Sequence, residues 1–301
     1  MSKKDIYLSE IKHRESVKIS LMVMKILFRD DEKVVCILAD KTGEVKANII
    51  KKESESIKEG DVLKVEGNKD RILEVKKFKV LSEYDERDYL PHVEKPIEEI
   101  MKEIDEITDK YIVSSEARAL NDYFFKDDEF LEKFKRGIGG VSMHHNYIGG
   151  LAEHTLNVMY LTSILCERYH CRRPETAILA AKLHDIGKIK ELYYDGPFKY
   201  TLIGEMEGHI VIGVQMIDEA VSKYPKLYSE DFIVRIKGCI TQHHGKLEYG
   251  SPREMKTEES YIVNYADGLD ATMNKITMLK EKTKSGTWSE YDKRLETKLY
   301  L

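Results

Sequence analysis

The stretch LAAKLHDIGKIKELYY (Leu179–Tyr194) runs from an apolar helical segment straight into His184-Asp185, with Gly187 and Lys188 close behind. Imidazole and carboxylate groups are costly to bury unless they are paired or hold a metal. A buried helix that closes on both therefore asks for partners. Gly187 lets the backbone turn out of the helix and leaves room for a ligand. Lys188 then offers a cation that suits a phosphate oxygen, although taken alone it reads equally as a solvated surface lysine. The pair decides little until the rest of the chain is read.

Eight of the ten histidines lie from His144 onward, nearly all at helix ends or inside apolar faces. His154 falls in GGLAEHTLNVMYL, a helix otherwise built for burial. His209 sits in GEMEGHIVIGVQMI, His243-His244 close VRIKGCITQHHG, and Asp267 lies in the apolar YIVNYADGLDATM. One histidine in an apolar helix is more often a hydrogen-bonded core residue than a ligand. One explanation nevertheless covers the whole set: five helices bring one or two such groups each to a common point. Nitrogen and oxygen ligands without thiolate suit Mn, Fe or another octahedral-leaning divalent ion better than a structural zinc. The set is too large for one catalytic ion with open positions and suits two, with the Asp185 carboxylate as the natural bridge.

The chain has 301 residues, 42% hydrophobic and 34% charged, enough for two ordinary domains. No run approaches the ~20 apolar residues of a membrane helix, and the N-terminus lacks a signal peptide's apolar segment. A cytoplasmic location without membrane association is the expectation. Cys36, Cys166, Cys171 and Cys239 show no CxxC spacing and read as buried free thiols. The net charge of −5 argues against a globally basic nucleic-acid binder but not against a local basic groove.

The two halves differ in period. Residues 17–81 read as five short strands, with a hairpin at Asp40-Lys41-Thr42-Gly43 and two further strands around Gly67-Asn68. That pattern suits a small barrel, an OB-fold first and an SH3-like barrel second. EYDERDYLPHVEKP (residues 83–96) reads as a linker. Helical spacing follows, starting with Ile97, Ile100, Met101, Ile104 and Ile107, with further helices near 114–126, 128–136, 150–170, 174–187, 205–223, 229–243 and 258–281. The expected organisation is a two-domain, mainly α chain: an OB-fold over 1–84, linker and first helix over 85–113, an all-α domain over 114–282, and a tail over 283–301 that carries Trp288, the single tryptophan.

The ordered set His154, His184-Asp185 with Gly187-Lys188, His209, His243-His244 and Asp267 resembles the HD-domain metal-dependent phosphohydrolases, in particular their dinuclear branch. With the barrel in front, the whole chain resembles the YhaM family of 3′→5′ exoribonucleases. LADKTGEVKANI, MHHNYIGGLAEHTLNV, KLHDIGK, GHIVIG and QHHGKLEYGSP carry that likeness. The resemblance implies a Mn²⁺-dependent exonuclease, with Fe, Co or Ni as other candidate metals. It would trim single-stranded RNA, with DNA as a second substrate, from the 3′ end and release nucleoside 5′-monophosphates. Some related cyclic-dinucleotide hydrolases carry a third-metal glutamate four residues before the first histidine, where this chain has Gly150. Their Gly-Tyr-Pro tripeptide is also missing, with Tyr249-Gly250-Ser251-Pro252 in that region. Two ions are therefore expected rather than three.

In the expected mechanism a hydroxide activated by two metals attacks the terminal phosphodiester. His154, His184, Asp185 and Asp267 are assigned to one ion, and Asp185, His209 and His243 to the other. His244 is a ligand or a phosphate contact, and Lys188 steadies a non-bridging oxygen. His144 or His145, on a Gly-rich loop, is expected to touch substrate. Lys64, Lys69, Arg71, Lys76 and Lys77 would hold the strand on the barrel, with Phe28 and Phe78 the few aromatics for stacking. A homo-oligomer is compatible with the sequence. The rival readings are a cyclic-nucleotide or dinucleotide phosphodiesterase, a di-iron oxygenase, and a nucleic-acid-binding regulator with a structural metal. The barrel counts against the first, Lys188 and the barrel against the second, and an open site with Lys188 against the third.

Overall fold

The computed structural model describes residues 4–12, 15–50, 57–141 and 145–301. They fall into two compact units, Met1–His92 with Tyr193–Lys199, and Val93–Leu192 with Tyr200–Leu301. Among the described residues no helix is long and apolar enough to cross a membrane.

The first unit is a closed five-stranded barrel in the order β1-β2-β3-β5-β4, the OB topology. Its strands are β1 (Glu15–Arg29), β2 (Lys33–Asp40), β3 (Gly43–Ile50), β4 (Val62–Lys69) and β5 (Leu73–Val80). β1 closes the barrel because it is long enough to serve two neighbours. Its first half pairs with β4 and its second half with β2, and two register shifts after Val23 bend it between them. Period-two alternation turns Val17, Ile19, Leu21 and Val23 inward, against Leu38, Ala47, Leu63, Val65 and Val75. The hairpin at Asp40–Gly43 forms as expected. Asp40 Oδ1 accepts from the Thr42 amide at 2.9 Å and from its hydroxyl at 2.6 Å.

Two expectations need correction. Gly67-Asn68 is not a turn but lies within β4; the chain turns at residues 70–72. Glycine is required at 67 because β5 crosses close at a bulge, where an added Cβ would sit 2.2 Å from the Glu74 carbonyl oxygen. The charged stretch over 83–96 is also not simply a linker. It buries Tyr89 and Leu90 against Met22 and Val62, and Tyr89 donates to the Ser20 hydroxyl at 2.8 Å.

The second unit contains α1 (Ile97–Tyr111), α2 (Ser115–Phe125), α3 (Asp128–Arg136), α4 (Gly150–Tyr169), α5 (Pro174–Leu183), α6 (Lys188–Glu191), α7 (Leu202–Lys223), α8 (Glu230–Gln242) and α9 (Glu258–Lys282). The starts follow capping chemistry. Ser114 and Ser229 accept from the amides of Ala117 and Phe232, and Pro174 opens α5. α5 is shorter than its apolar pattern suggests, ending at Leu183, and a turn carries His184 to Gly187 into α6. α5 and the first half of α4 are buried almost all round, with Leu151, Val158, Met159, Ile178, Leu179 and Ala180 among residues with no exposure, while the second half of α4 exposes Tyr160, Ile164 and Tyr169. All four cysteines are buried and free.

One of the buried charges in this unit is a lysine. Lys182 is 1% exposed; its Nζ donates to Thr108 Oγ1 at 2.9 Å and Asn121 Oδ1 at 2.8 Å and stands 3.9 Å from the Phe125 ring centre. Burial pushes this ammonium down to about 7, against partial compensation by Asp105. The unfolded lysine titrates near ~10.4. Between these values the unfolded chain holds the extra proton, so this residue's contribution to stability rises with pH. The urea midpoint of the wild type is expected to gain between pH 7 and 9 a component that Lys182→Met lacks; equal pH profiles would show that Lys182 titrates normally.

Candidate metal centre

Five helices deliver the side chains singled out by the sequence. α4 presents His154 from its second turn, and α5 delivers His184 and Asp185 just past its end. α7 delivers His209, α8 delivers His243 and His244 past its end, and α9 delivers Asp267. His154, His184 and His243 are at most 1% exposed and Asp185 is 2% exposed.

Asp185 is the common neighbour. Its Oδ2 lies 3.4 Å from His154 Nε2 and 3.3 Å from His184 Nε2, while its Oδ1 lies 3.4 Å from His209 Nε2 and 3.7 Å from His243 Nε2. The two oxygens of one carboxylate thus face two groups of imidazoles. His154, His184 and Asp185 form one cluster of ligating geometry, and His209, His243 and His244 form another. Asp267 Oδ1 joins the first at 3.3 Å from His154 Nε2.

Every one of these rings is oriented from behind. His184 Nδ1 donates to the Ala181 carbonyl at 2.8 Å, His243 Nδ1 to the Ile240 carbonyl at 2.7 Å, and His244 Nδ1 to the Tyr249 carbonyl at 3.0 Å. His209 Nδ1 meets Glu191 Oε1 at 3.1 Å, and His154 Nδ1 meets Asp270 Oδ2 at 2.6 Å. A ring whose Nδ1 carries the proton turns an Nε2 lone pair inward, the tautomer a metal needs. His154 and His184 then face each other Nε2 to Nε2 at 3.1 Å. Asp185 Oδ1, His209 Nε2 and His243 Nε2 are buried with no hydrogen-bond partner. Buried acceptors aimed at one another without a donor fit a cation between them. The HD family of donors, imidazole and carboxylate without thiolate, fits a divalent ion.

The charges agree. Burial pushes the Asp185 carboxyl up, but the Lys188 ammonium beside it, together with His184, outweighs it and holds it well below the usual carboxylate range. Asp267 is held down as well, burial being overcome by His154. Burial, with His244 and His184 nearby, lowers His243 well below the ordinary imidazole value and keeps it neutral. His154 is raised well above that value, because Asp185, Asp267 and Asp270 overcome the cost of burial. A field that draws a proton to that point draws a metal cation as well.

Local backbone explains the convergence. Gly208 (φ 72°, ψ 158°) breaks α7, so His209 opens a new helical segment and its amide donates to Glu191 Oε1 at 3.0 Å. Gly187 lets the turn after Asp185 lie against α7; an added Cβ would stand 2.0 Å from the His209 carbonyl oxygen and 2.8 Å from the Gly213 nitrogen.

Lys188 is 8% exposed, with Nζ 2.6 Å from Asp185 Oδ2 and donating to the Gly139 carbonyl at 2.7 Å, so it neutralises the central carboxylate instead of pointing into open solvent. His145 is 1% exposed and both ring nitrogens are engaged, so it is not placed to meet a strand. His144 lies outside the described residues. On the barrel, Lys64, Lys76 and Lys77 are exposed on β4 and β5 and Arg71 in the turn between them, whereas Lys69 donates to the Ile11 carbonyl at 3.0 Å. Phe28 is exposed and Phe78 packs on the barrel core. Sequence reasoning missed Asp270 and Glu191. Each is acidic, buried and one helical turn from a singled-out residue, Asp267 and Lys188 respectively, which was the available signal.

The HD domain family matches residues 151–272, a span that contains every converging ligand candidate. The 3′-5′ exoribonuclease YhaM of Geobacillus sp. (strain WCH70) is 30% identical over 278 residues, covering 88% of this chain and 83% of that protein. The chain belongs to the YhaM family. The YhaM protein of Bacillus subtilis (strain 168) is 32% identical over 157 residues, 52% of this chain and 49% of that relative. As a YhaM-family member with an HD centre, the chain is a hydrolytic nuclease whose clustered His and Asp residues fit a divalent metal site.

Gly187→Ala tests the contact that brings Asp185 to His209. Backbone lies on both sides, so no rotamer change relieves the clash. A loss of about 1–3 kcal/mol by urea unfolding is expected, together with reduced Mn²⁺ uptake. Unchanged stability would mean that the turn is not packed there.

Proposed function

We propose that the chain is a Mn²⁺-dependent 3′→5′ exonuclease that trims single-stranded RNA, with single-stranded DNA as a second substrate, and releases nucleoside 5′-monophosphates. The observation that carries this reading is the Asp185 carboxylate, with one oxygen facing His154 and His184 and the other facing His209 and His243. It supports two ions sharing Asp185: His154, His184, Asp185 and Asp267 would hold one, and Asp185, His209 and His243 the other, with His244 on the second or on the phosphate. The substrate class follows the relatives' names as 3′-5′ exoribonucleases.

Bound divalent ions supply Lewis acidity, which activates water near neutral pH and offsets charge on the phosphoryl oxygens. The protein's own groups do the rest. The Nδ1 bonds keep the histidine rings aimed. Lys188 has a third donor beyond Asp185 and Gly139, which we assign to a non-bridging phosphate oxygen. Burial excludes competing water from the centre. The barrel, residues 1–84 in this assignment, would hold the incoming strand electrostatically. Its outward β4 and β5 surface carries Lys64, Lys76, Lys77 and Lys79, all exposed.

RNA labelled at the 5′ end should give a ladder shortening from the 3′ end in Mn²⁺ and none in excess chelator. Asp185→Ala should abolish the ladder and lose bound metal while keeping helical circular dichroism. An active Asp185→Ala enzyme would overturn the shared-carboxylate reading. Lys64→Gln/Lys76→Gln/Lys77→Gln should lower the salt dependence of RNA binding, log K against log salt, by about 2, at about 0.7 per phosphate contact. An unchanged slope would remove that face from the strand path.

A further inference from the structure

Behind His154 lies a buried chain of polar groups that the ligand set does not use. Asp270 Oδ2 receives two imidazoles, His154 Nδ1 at 2.6 Å and His145 Nε2 at 2.8 Å, and Asp270 Oδ1 accepts from Asn157 Nδ2 at 2.8 Å. The other face of His145 continues outward: Nδ1 lies 2.9 Å from Glu153 Oε2, and the Tyr147 hydroxyl donates to the same carboxylate. Asn274 closes the network, accepting from the His145 amide at 3.0 Å and donating to the Tyr147 hydroxyl at 3.0 Å. His145, His154 and Asp270 are 1%, 0% and 7% exposed.

We propose that His145 is a positioning residue of the metal centre: through Asp270 it fixes His154 as a ligand. This rests on the metal reading above. His154 has a particular need for such help. It sits inside α4, where the carbonyls of its own helix are taken by the helix's amides, so its Nδ1 must find an acceptor on another helix. A carboxylate on α9 is that acceptor, but it stands one turn beyond Asp267 and is anionic and buried. Left alone it would be costly and free to swing toward the cation. His145, donating to it from the far side, offsets that charge and holds the rotamer. The two ring nitrogens of His145 face different carboxylates, Nε2 that of Asp270 and Nδ1 that of Glu153.

The backbone is shaped for this. His145 takes a left-handed conformation (φ 49°), uncommon for a residue with a side chain. Its carbonyl accepts from the Gly139 amide at 2.9 Å, and it lies where a Cβ on Gly150 would approach to 2.1 Å. The His145 backbone is thus held by Gly139 on one side and packed against Gly150 on the other. Lys188 donates to the carbonyl of the same Gly139, so the loop that positions His145 also anchors the lysine.

The test is a double-mutant cycle read on metal affinity, by electron paramagnetic resonance of free Mn²⁺ in titrations of the full-length apoprotein. Asp270→Asn should weaken Mn²⁺ binding about 10- to 100-fold, and His145→Gln should weaken it in the same direction. The double variant should lose no more than Asp270→Asn alone, because His145 acts only through Asp270. Glu153→Gln, at the more exposed end of the chain, should fold normally and still reduce affinity by a few-fold. Wild-type affinity in His145→Gln and Glu153→Gln, or losses that multiply in the double variant, would overturn the proposal. So would lower thermal stability of the apoproteins with an unchanged Mn²⁺-induced shift. A wild-type chain that takes up no Mn²⁺ would instead overturn the metal reading, and this one with it.

Discussion

The centre depends on one buried carboxylate, Asp185, whose two oxygens face different imidazole groups. Coulomb energy at these distances is large only where water is excluded. α5 and the first half of α4, buried almost all round, supply that exclusion. Lys188 and the facing histidines keep the carboxyl ionised against its desolvation. The apolar helices therefore have an electrostatic purpose: without their burial, Asp185 would be a solvated side chain with weak hold on anything.

The placement of His184 and His243 answers why buried helices should end on polar pairs. The last turn of a helix leaves carbonyls without intrahelical partners. His184 and His243 each give an Nδ1 proton to the carbonyl three residues back, Ala181 and Ile240. The same bond satisfies an orphan acceptor and fixes the tautomer. Both helices also aim the negative end of their dipoles at the site, which favours a cation. His209 and His154 lack this arrangement. His209 follows the Gly208 break and His154 lies inside its helix, and these two are oriented by carboxylates, Glu191 and Asp270. Helix-end ligands are held by backbone and the others by acids from neighbouring elements.

That division also explains what was legible in the sequence. The barrel strands show as alternating β-branched residues, and the ligands show as histidines in apolar faces, because local pattern alone makes both visible. Gly67 was misread because a glycine demanded by a close β5 crossing looks, in sequence, like a glycine demanded by a turn. Asp270 was missed because its partners, His145 and His154, come from another part of the chain, and only its place one turn beyond Asp267 marks it. His145 was placed on a substrate-facing loop because its neighbours are glycines, which here pin the loop inward and do not loosen it. Tertiary contacts decided each of these cases.

The site carries a stability cost that bears on how it must fold. Asp185 Oδ1, His209 Nε2 and His243 Nε2 are buried without hydrogen-bond partners, and each such atom costs roughly 1–3 kcal/mol. Together they rival the whole net stability of an ordinary domain, ~5–15 kcal/mol. Every ring is held by its Nδ1 bond, and the apolar core includes Ile178, Leu179, Val158 and Ile240. The helices hold the acceptors apart and aimed, and the cost of doing so is offset by core burial. An ion that binds only this folded array then adds stability in proportion to its affinity. Rigidity of the groups behind the rings, Ala181, Ile240, Glu191 and Asp270, then sets how well the array can bind.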